Sequence, residues 1–229
     1  MAIDSGKLYL VPTPIGNMGD ITQRALETLR EVDLVACEDT RHSGMLLKRL
    51  GLKKKLISYH DFNEERRADQ LLAKIREGMS VAVITDAGSP GISDPAYRIV
   101  QAAIASDIDI VPLPGATAII PALTASGQPT DRFFFEGFLP HKSAARKKRL
   151  ERLKELEHTL VFYESPHRVQ KSLGDMLEVL GNRKACLARE ISKRYEQFLR
   201  GRISDIQNAI ADKPVKGEIV LVIGGKEQT

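Results

Sequence analysis

At Ser80 to Pro95 (SVAVITDAGSPGISDP) a short buried-strand pattern runs straight into a loop built from Gly, Pro, Ser and Asp. Loops of that composition usually hold a ligand. Gly88 and Gly91 let the backbone reach φ values closed to other residues and approach a bound molecule closely, while Pro90 and Pro95 stiffen the path. Asp86, Ser89, Ser93 and Asp94 present oxygens into the same space. Two other strand exits share this grammar: LYLVPTPIGN carries Pro12, Pro14 and Gly16, and DIVPLPGATA carries Pro112, Pro114 and Gly115. Each alone also reads as a plain βα turn with a Ser or Asp cap. Together they read as one site, because ligands of open α/β sheets collect at the carboxyl ends of strands.

The surrounding periodicity supports an α/β class. Strands are expected at Leu8 to Val11, Leu34 to Cys37, Lys55 to Tyr59, Ser80 to Thr85 and Ile108 to Leu113, separated by helices of 3.6-residue period. The helix beginning near Asp20 places Ile21, Ala25, Leu26 and Leu29 on one face, and Asn63 is read as the cap of the next. Such a βαβα series predicts a parallel sheet covered on both sides. After a helix from Ala116 to Ser126, a Gly-Gln-Pro-Thr-Asp turn and FFFEGFLP open a second series. Its strands are expected at Phe133 to Gly137, Thr159 to Tyr163, Lys184 to Arg189, Gln197 to Gly201 and Gly217 to Ile223. The last strands are read without an intervening helix, which predicts a mixed sheet. The 229 residues thus divide as 1–126 and 127–229, two α/β domains of ordinary size. The tail after Gly225 is expected to fray.

Composition narrows the function classes. No run of about 20 apolar residues exists for a membrane span, and Met1 to Lys7 lacks a signal-peptide pattern, so a cytoplasmic protein is expected. Cys37 and Cys186 lie in apolar strand patterns and read as buried reduced thiols. The five histidines show no metal-ligand spacing, and no metal is expected. Charge is unevenly placed: Lys142 to Arg202 holds 16 Lys or Arg against 8 Asp or Glu, or +8, leaving −4 for the rest of a chain whose net charge is +4. The densest part, KSAARKKRLERLK, carries Arg146, Lys147, Lys148 and Arg149 on a helix striped by Leu150, Leu153 and Leu156. It reads either as a solvated charged helix or as a surface for RNA.

Familiar nucleotide motifs are missing. PIGNMGD has no GxGxxG, nothing matches GxxxxGK[ST], and no GxSxG elbow occurs. The segments PIGNMGDIT (14–22), CEDTRHS (37–43), YHDFNE (59–64), TDAGSPGISDP (85–95), PGATA (114–118), GFLPHK (137–142), FYESPHR (162–168), AREISK (188–193) and KGEIVLVI (216–223) follow one another in order. Together they resemble the RsmI family of bacterial 16S rRNA (cytidine 2'-O)-methyltransferases over nearly the whole chain.

The resemblance implies the tetrapyrrole-methylase (class III methyltransferase) fold: two α/β domains, a cleft between them for S-adenosylmethionine, and a homodimer. It implies methyl transfer to the ribose 2'-hydroxyl of a cytidine in the decoding centre, so that 16S rRNA or the small ribosomal subunit is the partner. Carried over, Pro14, Gly16, the loop residues Gly88, Ser89, Gly91, Ile92 and Asp94, then Thr117, Ala118, Tyr163 and Gly217 line the cofactor. Ser89 departs from the Gly-Asp-Pro of the wider fold, and Tyr195 stands where the family usually has His.

Methyl transfer from a sulfonium needs alignment and an acceptor for the hydroxyl proton. Candidates are Glu38 and Asp39 in CEDTR, His60 in YHD, and Lys193 in AREISK. Arg41, Arg168 and Lys193 are alternatives for holding phosphate, for which an arginine fork is suited. Two rivals remain at this stage: a methylase of the same fold acting on a small molecule such as a corrin precursor, and a non-catalytic RNA-binding ribosome-assembly factor.

Overall fold

The computed structural model describes residues 6–212 and 215–226. The chain forms two compact units, Met1–Thr117 and Ala118–Thr229. In the first, β1 (Leu8–Leu10), α1 (Gln23–Glu31), β2 (Leu34–Cys37), α2 (Thr40–Arg49), β3 (Leu56–Ser58), α3 (Glu64–Arg76), β4 (Val81–Val83), α4 (Tyr97–Ala105) and β5 (Ile110–Pro112) alternate along the chain. The sheet order is β3-β2-β4-β1-β5 and every pairing is parallel.

Strands LVAC and VAV are buried at every residue, as continuous apolar strands covered on both faces should be. Neighbouring residues feed opposite layers. Leu8, Leu34, Val81 and Val83 pack with Leu71, Leu72 and Ile75 of α3 and Ile99 of α4, whereas Tyr9, Val35, Cys37 and Ala82 pack with Ala25 and Leu29 of α1.

Two local expectations are corrected. Helix α1 starts at Gln23, because the Thr22 side chain accepts from Ala25 N at 3.0 Å; Asp20 instead ends a 3-10 turn, Met18–Asp20. Asn63 does occupy the N-cap of α3, but its side chain makes no capping bond. Its carboxamide turns back, accepting from His60 N at 3.0 Å and pairing with His60 Nε2 at 2.9 Å.

The second unit contains α5 (Ile119–Ser126), β6 (Phe133–Phe138), α6 (Ser143–Leu153), β7 (Thr159–Glu164), α7 (Val169–Leu180), β8 (Lys184–Arg189), β9 (Gln197–Arg202), α8 (Ile203–Ala209) and β10 (Ile219–Ile223). Its order is β6-β7-β10-β8-β9. Only β6 and β7 run parallel; β10 is antiparallel to β7 and β8, and β8 to β9, so the sheet is mixed. A short helix does separate the final strands, since α8 follows β9, which corrects the expectation for β9 to β10. Leu150 and Leu153 of α6, Leu173 and Met176 of α7, and Ile203 and Ile206 of α8 pack over Leu160, Phe162, Leu187 and Leu221.

The division between units falls ahead of α5 rather than after it. Helix α5 packs on β8, β9 and β10, and Arg200 of β9 donates Nε to Ala125 O at 2.9 Å. Both cysteines are buried free thiols. No helix among the described residues is long and apolar enough to cross a membrane. Of the expected frayed tail, residues 227–229 lie outside the described ones.

Candidate active site

Strands β4, β1 and β5 are neighbours in the first sheet, so their carboxyl-end loops emerge side by side and are tied directly together. Thr13 and Gly88 exchange backbone bonds, Thr13 N to Gly88 O at 2.9 Å and Gly88 N to Thr13 O at 3.0 Å. The buried Thr13 hydroxyl donates to Thr85 O at 3.1 Å. Ser89 Oγ donates to Ala116 O at 3.0 Å, which joins the β4 loop to the β5 loop. Gly115 lies against Pro12 so closely that a Cβ would meet the proline ring at 2.6 Å. The loops bearing Pro14, Gly16, Gly88, Ser89, Gly91 and Thr117 therefore form one surface. Pro14 is buried within it, while Gly16, Gly91 and Ile92 are exposed. Ala118 begins the second unit as the N-cap of α5.

Carboxylates gather in the first unit. Burial, and then the charges of Glu38, Asp86 and Asp61, push the Asp94 carboxyl up to about 7. Glu38, at the end of β2, is raised by burial and by Asp86 and Asp61. Asp86 Oδ1 is buried and has no hydrogen-bond partner among the described residues. Asp94, placed by the resemblance among cofactor-lining residues, thus has the proton affinity of a neutral-pH acid or base. No local pattern signals this, because the largest cause is burial, which tertiary packing supplies, and Glu38 and Asp61 act from 56 and 33 residues away in the chain.

The other candidates of this unit have different duties. Asp39 caps α2, accepting from Arg41 N at 2.7 Å, and pairs with Arg41 Nη2 at 3.2 Å. These Arg41 bonds hold its carboxyl below the usual range, which makes it a poor proton acceptor. His60 is half-buried, with Nε2 beside Asn63 Nδ2 and a buried Nδ1 that has no partner among the described residues.

In the second unit the conspicuous motifs build ion pairs. Glu164, 3% exposed, accepts from Arg168 Nε at 2.9 Å and Nη2 at 2.7 Å, from Ser165 N at 2.7 Å, and from Ser172 Oγ at 2.5 Å. Arg168 also reaches Leu139 O at 3.2 Å, so it staples the end of β7 to the start of α7. Tyr163 packs edge-on against Phe135 with ring centroids 5.0 Å apart. Lys193 Nζ sits 3.1 Å from Glu190 Oε1 and 3.2 Å from Glu218 Oε2. Burial works against its charge, but these pairs outweigh it and keep the ammonium raised. Its chemistry is that of a cation, not of a base. Gly217 lies against Glu190.

The basic helix α6 is less free than its sequence suggests. Arg146 is 2% exposed, donates Nε to Asp175 at 2.6 Å and Nη1 to the carbonyls of Pro140 and His141, both at 3.2 Å. Arg149 grips Glu136 with two bonds, and Lys147 pairs with Glu178 at 2.5 Å. Of the four, Lys148 faces solvent. The charge pattern could not reveal this, since Asp175, Glu136 and Glu178 arrive from other elements.

The profile of the Tetrapyrrole (Corrin/Porphyrin) Methylases family matches residues 7–207. The chain is 50% identical over 228 residues to the ribosomal RNA small subunit methyltransferase I of Haemophilus influenzae, covering 98% of this chain and 81% of that protein. It is 49% identical over 225 residues to the protein of that name from Micromonospora olivasterospora, covering 98% and 72%. Among solved structures, the cobalt precorrin-4 methyltransferase CbiF superposes with a TM-score of 0.70 at 19% identity, covering 96% of this chain and 95% of that one. Diphthine synthase superposes at 0.72 with 14% identity, covering 97% and 91%. These two share the fold alone. Half of its residues in common over nearly its whole length place the chain in the ribosomal RNA small subunit methyltransferase I family of the tetrapyrrole (corrin/porphyrin) methylases.

Proposed function

We propose that this protein transfers a methyl group from S-adenosylmethionine to ribosomal RNA of the small subunit, at the ribose 2'-hydroxyl of a cytidine in the decoding centre of 16S rRNA. The observation that carries the reading is about 50% identity over 98% of the chain to proteins named for small-subunit rRNA methylation. A corrin-type acceptor has only fold-level support, from structures such as CbiF at 19% identity. A non-catalytic role leaves the joined loops and the raised Asp94 without a purpose.

The first unit's residues fit the cofactor. Asp86 Oδ1 is a buried acceptor awaiting a donor, and hydroxyl or amino groups of the cofactor are such donors. Gly88 and Gly91, with φ of +90° and +86°, keep the backbone bare where a ligand would approach. The carboxylates Glu38, Asp61, Asp86 and Asp94 favour a cationic molecule. When bound, S-adenosylmethionine supplies a methyl group already activated on a sulfonium. The protein's task is then alignment and proton removal. Asp94, half-ionised near neutral pH, is the acceptor we assign to the hydroxyl proton; a positioned base contributes about 10²- to 10⁴-fold. Glu38 tunes it by repulsion. Lys142, Lys148 and Arg152 are exposed cations suited to RNA phosphates. We assign the protein to the cytoplasm and to a homodimer on the family resemblance.

Small subunits lacking the modification, incubated with this protein and methyl-labelled S-adenosylmethionine, test the reading. Label recovered as 2'-O-methylcytidine supports it. Label absent from RNA but present in a corrin or porphyrin precursor replaces it.

A further inference from the structure

Away from the motif-bearing end of the second sheet lies a cavity of about 280 Å³ whose lining includes Lys154, Glu155, Asn182, Arg183, Arg202 and Lys226. Glu164 and Arg189 pair with Ile219, whereas Leu160 and Ala185 pair with Ile223. The cavity adjoins the Ile223 end, four residues along the strand and thus about 13 Å from the family motifs.

The lining is held by backbone. Arg183, 8% exposed, donates Nε to Leu180 O at 3.0 Å, Nη1 to Gly224 O at 3.3 Å and Nη2 to Lys154 O at 2.5 Å. Arg202 Nη1 donates to Asn182 O at 2.7 Å. That carbonyl oxygen orients the Arg202 guanidinium without cancelling its charge. Lys226 N donates to Leu156 O at 2.8 Å, and Gly225 presses on Glu157 so closely that a Cβ would overlap the Glu157 carbonyl. The segment after β10 is thereby strapped to the turn before β7, and Lys226 is brought to the cavity rim.

Among the described residues of the lining, Lys154, Arg202 and Lys226 stand with one carboxylate, Glu155. Glu155 pairs with Lys226 at 2.5 Å, and its carboxyl is held below the usual range by that bond first, with Lys154 and Arg183 adding to the effect. Lys154 has a loose partner, Glu151 at 3.8 Å, both about half exposed. A surplus of positive charge remains. It belongs to a unit that is itself basic: residues 118–229 hold 20 Lys or Arg against 14 Asp or Glu, a formal +6, while residues 1–117 hold 14 against 16.

We propose that this cavity is a phosphate site, which holds a backbone phosphodiester of the RNA substrate. The assignment rests on the rRNA-methylation reading. The cavity's size falls just below that of drug-sized ligand pockets, which run from about 300 to 1,000 Å³, and suits a phosphate or sugar-phosphate unit. Arginine forks and lysine ammonium groups are the ordinary partners of such oxygens. A large substrate requires anchoring beyond the nucleotide that reacts, and bonds to phosphate fix register without reading sequence.

The test measures binding of the full-length protein to small ribosomal subunits across a range of KCl concentrations. One variant carries Lys154→Glu with Lys226→Glu, a second carries Arg202→Gln, and a control carries Lys53→Glu with Lys171→Glu, which reverses equal charge at exposed positions elsewhere. S-adenosylmethionine affinity and melting temperature are followed in each. We expect the first variant to bind subunits about ten-fold more weakly near 0.1 M salt, with a log–log salt slope shallower by about 0.9 for each phosphate no longer neutralised. Arg202→Gln should act in the same direction, and the control should lose less, with cofactor affinity unchanged throughout. Unchanged affinity and slope in both site variants, or an equal loss in the control, overturns the proposal. Inorganic pyrophosphate that binds the wild type but not the variants, while their RNA binding stays intact, overturns the RNA assignment in favour of a small phosphorylated ligand. Wild-type protein that neither binds nor methylates subunits removes the underlying function and this site with it; wild-type methylation with tight-binding variants rejects the site alone.

Discussion

Gly217 and Glu190 meet where no side chain fits: a Cβ on Gly217 would overlap the Glu190 carboxyl carbon and its Oε1. Both residues lie in the left-handed region, Gly217 at φ +87° and Glu190 at φ +50°. The Glu190 carboxylate spans this approach, accepting from Glu218 N and Lys193 Nζ, each at 3.1 Å. The entry to β10 is thus locked to the exit of β8.

Gly217→Ala should therefore lose about 2 to 4 kcal/mol of stability, combining left-handed strain with overpacking. Adding Glu190→Ala removes the obstructing carboxyl, so the double variant should be more stable than the sum of the single losses allows. Urea unfolding of the four proteins completes the cycle. Strict additivity would contradict the close approach.

On helix α6 the buried and exposed cations should separate cleanly. Asp175→Ala strands the Arg146 guanidinium in the interior and should cost about 3 to 5 kcal/mol. Lys148→Ala should stay within about 0.5 kcal/mol and instead weaken subunit binding. Denaturant midpoints together with subunit affinities check both. A Lys148→Ala protein with wild-type affinity would leave this helix a solvated surface.

Asp94 sets a pH dependence of definite sign. Its folded value of about 7 lies above the ordinary 3.8, so the folded state holds the proton more tightly. Its contribution to stability is full below about pH 4 and is lost as pH rises toward 7. Asp94→Asn should remove that decline, seen as a urea midpoint that falls less than the wild type's between about pH 4.5 and 7.5. In turnover the sign reverses. The wild-type kcat/KM should rise with pH through about 7, while Asp94→Asn loses both that limb and about 10²- to 10⁴-fold of rate. An intact limb in the variant would assign the proton to another group.

Asp86→Ala should weaken S-adenosylmethionine binding by about ten-fold or more, on the scale of one charged hydrogen bond, about 1.5 to 3 kcal/mol. Folding should not suffer, since Asp86 Oδ1 has no donor to lose within the described residues and its charge opposes Asp94. Calorimetry and a thermal melt decide. Undiminished affinity would move the cofactor away from this carboxylate.

Legibility in the sequence follows the range of the interactions. Continuous apolar runs such as LVAC and IVLVI mark their strands within a residue or two, because burial on both faces dictates their composition. The three Gly and Pro loops are readable as one surface because their strands are neighbours in an open sheet. Helix α8 escapes such reading because its seven residues offer barely two turns of periodicity. The staple role of Arg168 and the burial of Arg146 depend on Glu164, Ser172 and Asp175, whose positions only tertiary packing supplies. Asp94 is invisible as an acid for the same reason: its neighbours Glu38, Asp61 and Asp86 come from separate strand ends.

Every role assigned to the site depends on methylation of one ribose in small-subunit RNA. Mass-spectrometric mapping of ribose methylation in 16S rRNA, from cells with and without this protein, tests it most directly. One 2'-O-methylcytidine in the decoding centre should disappear when the protein is removed and return when it is restored, but not when Asp94→Asn protein is supplied. A methylation map identical in both cells would contradict it.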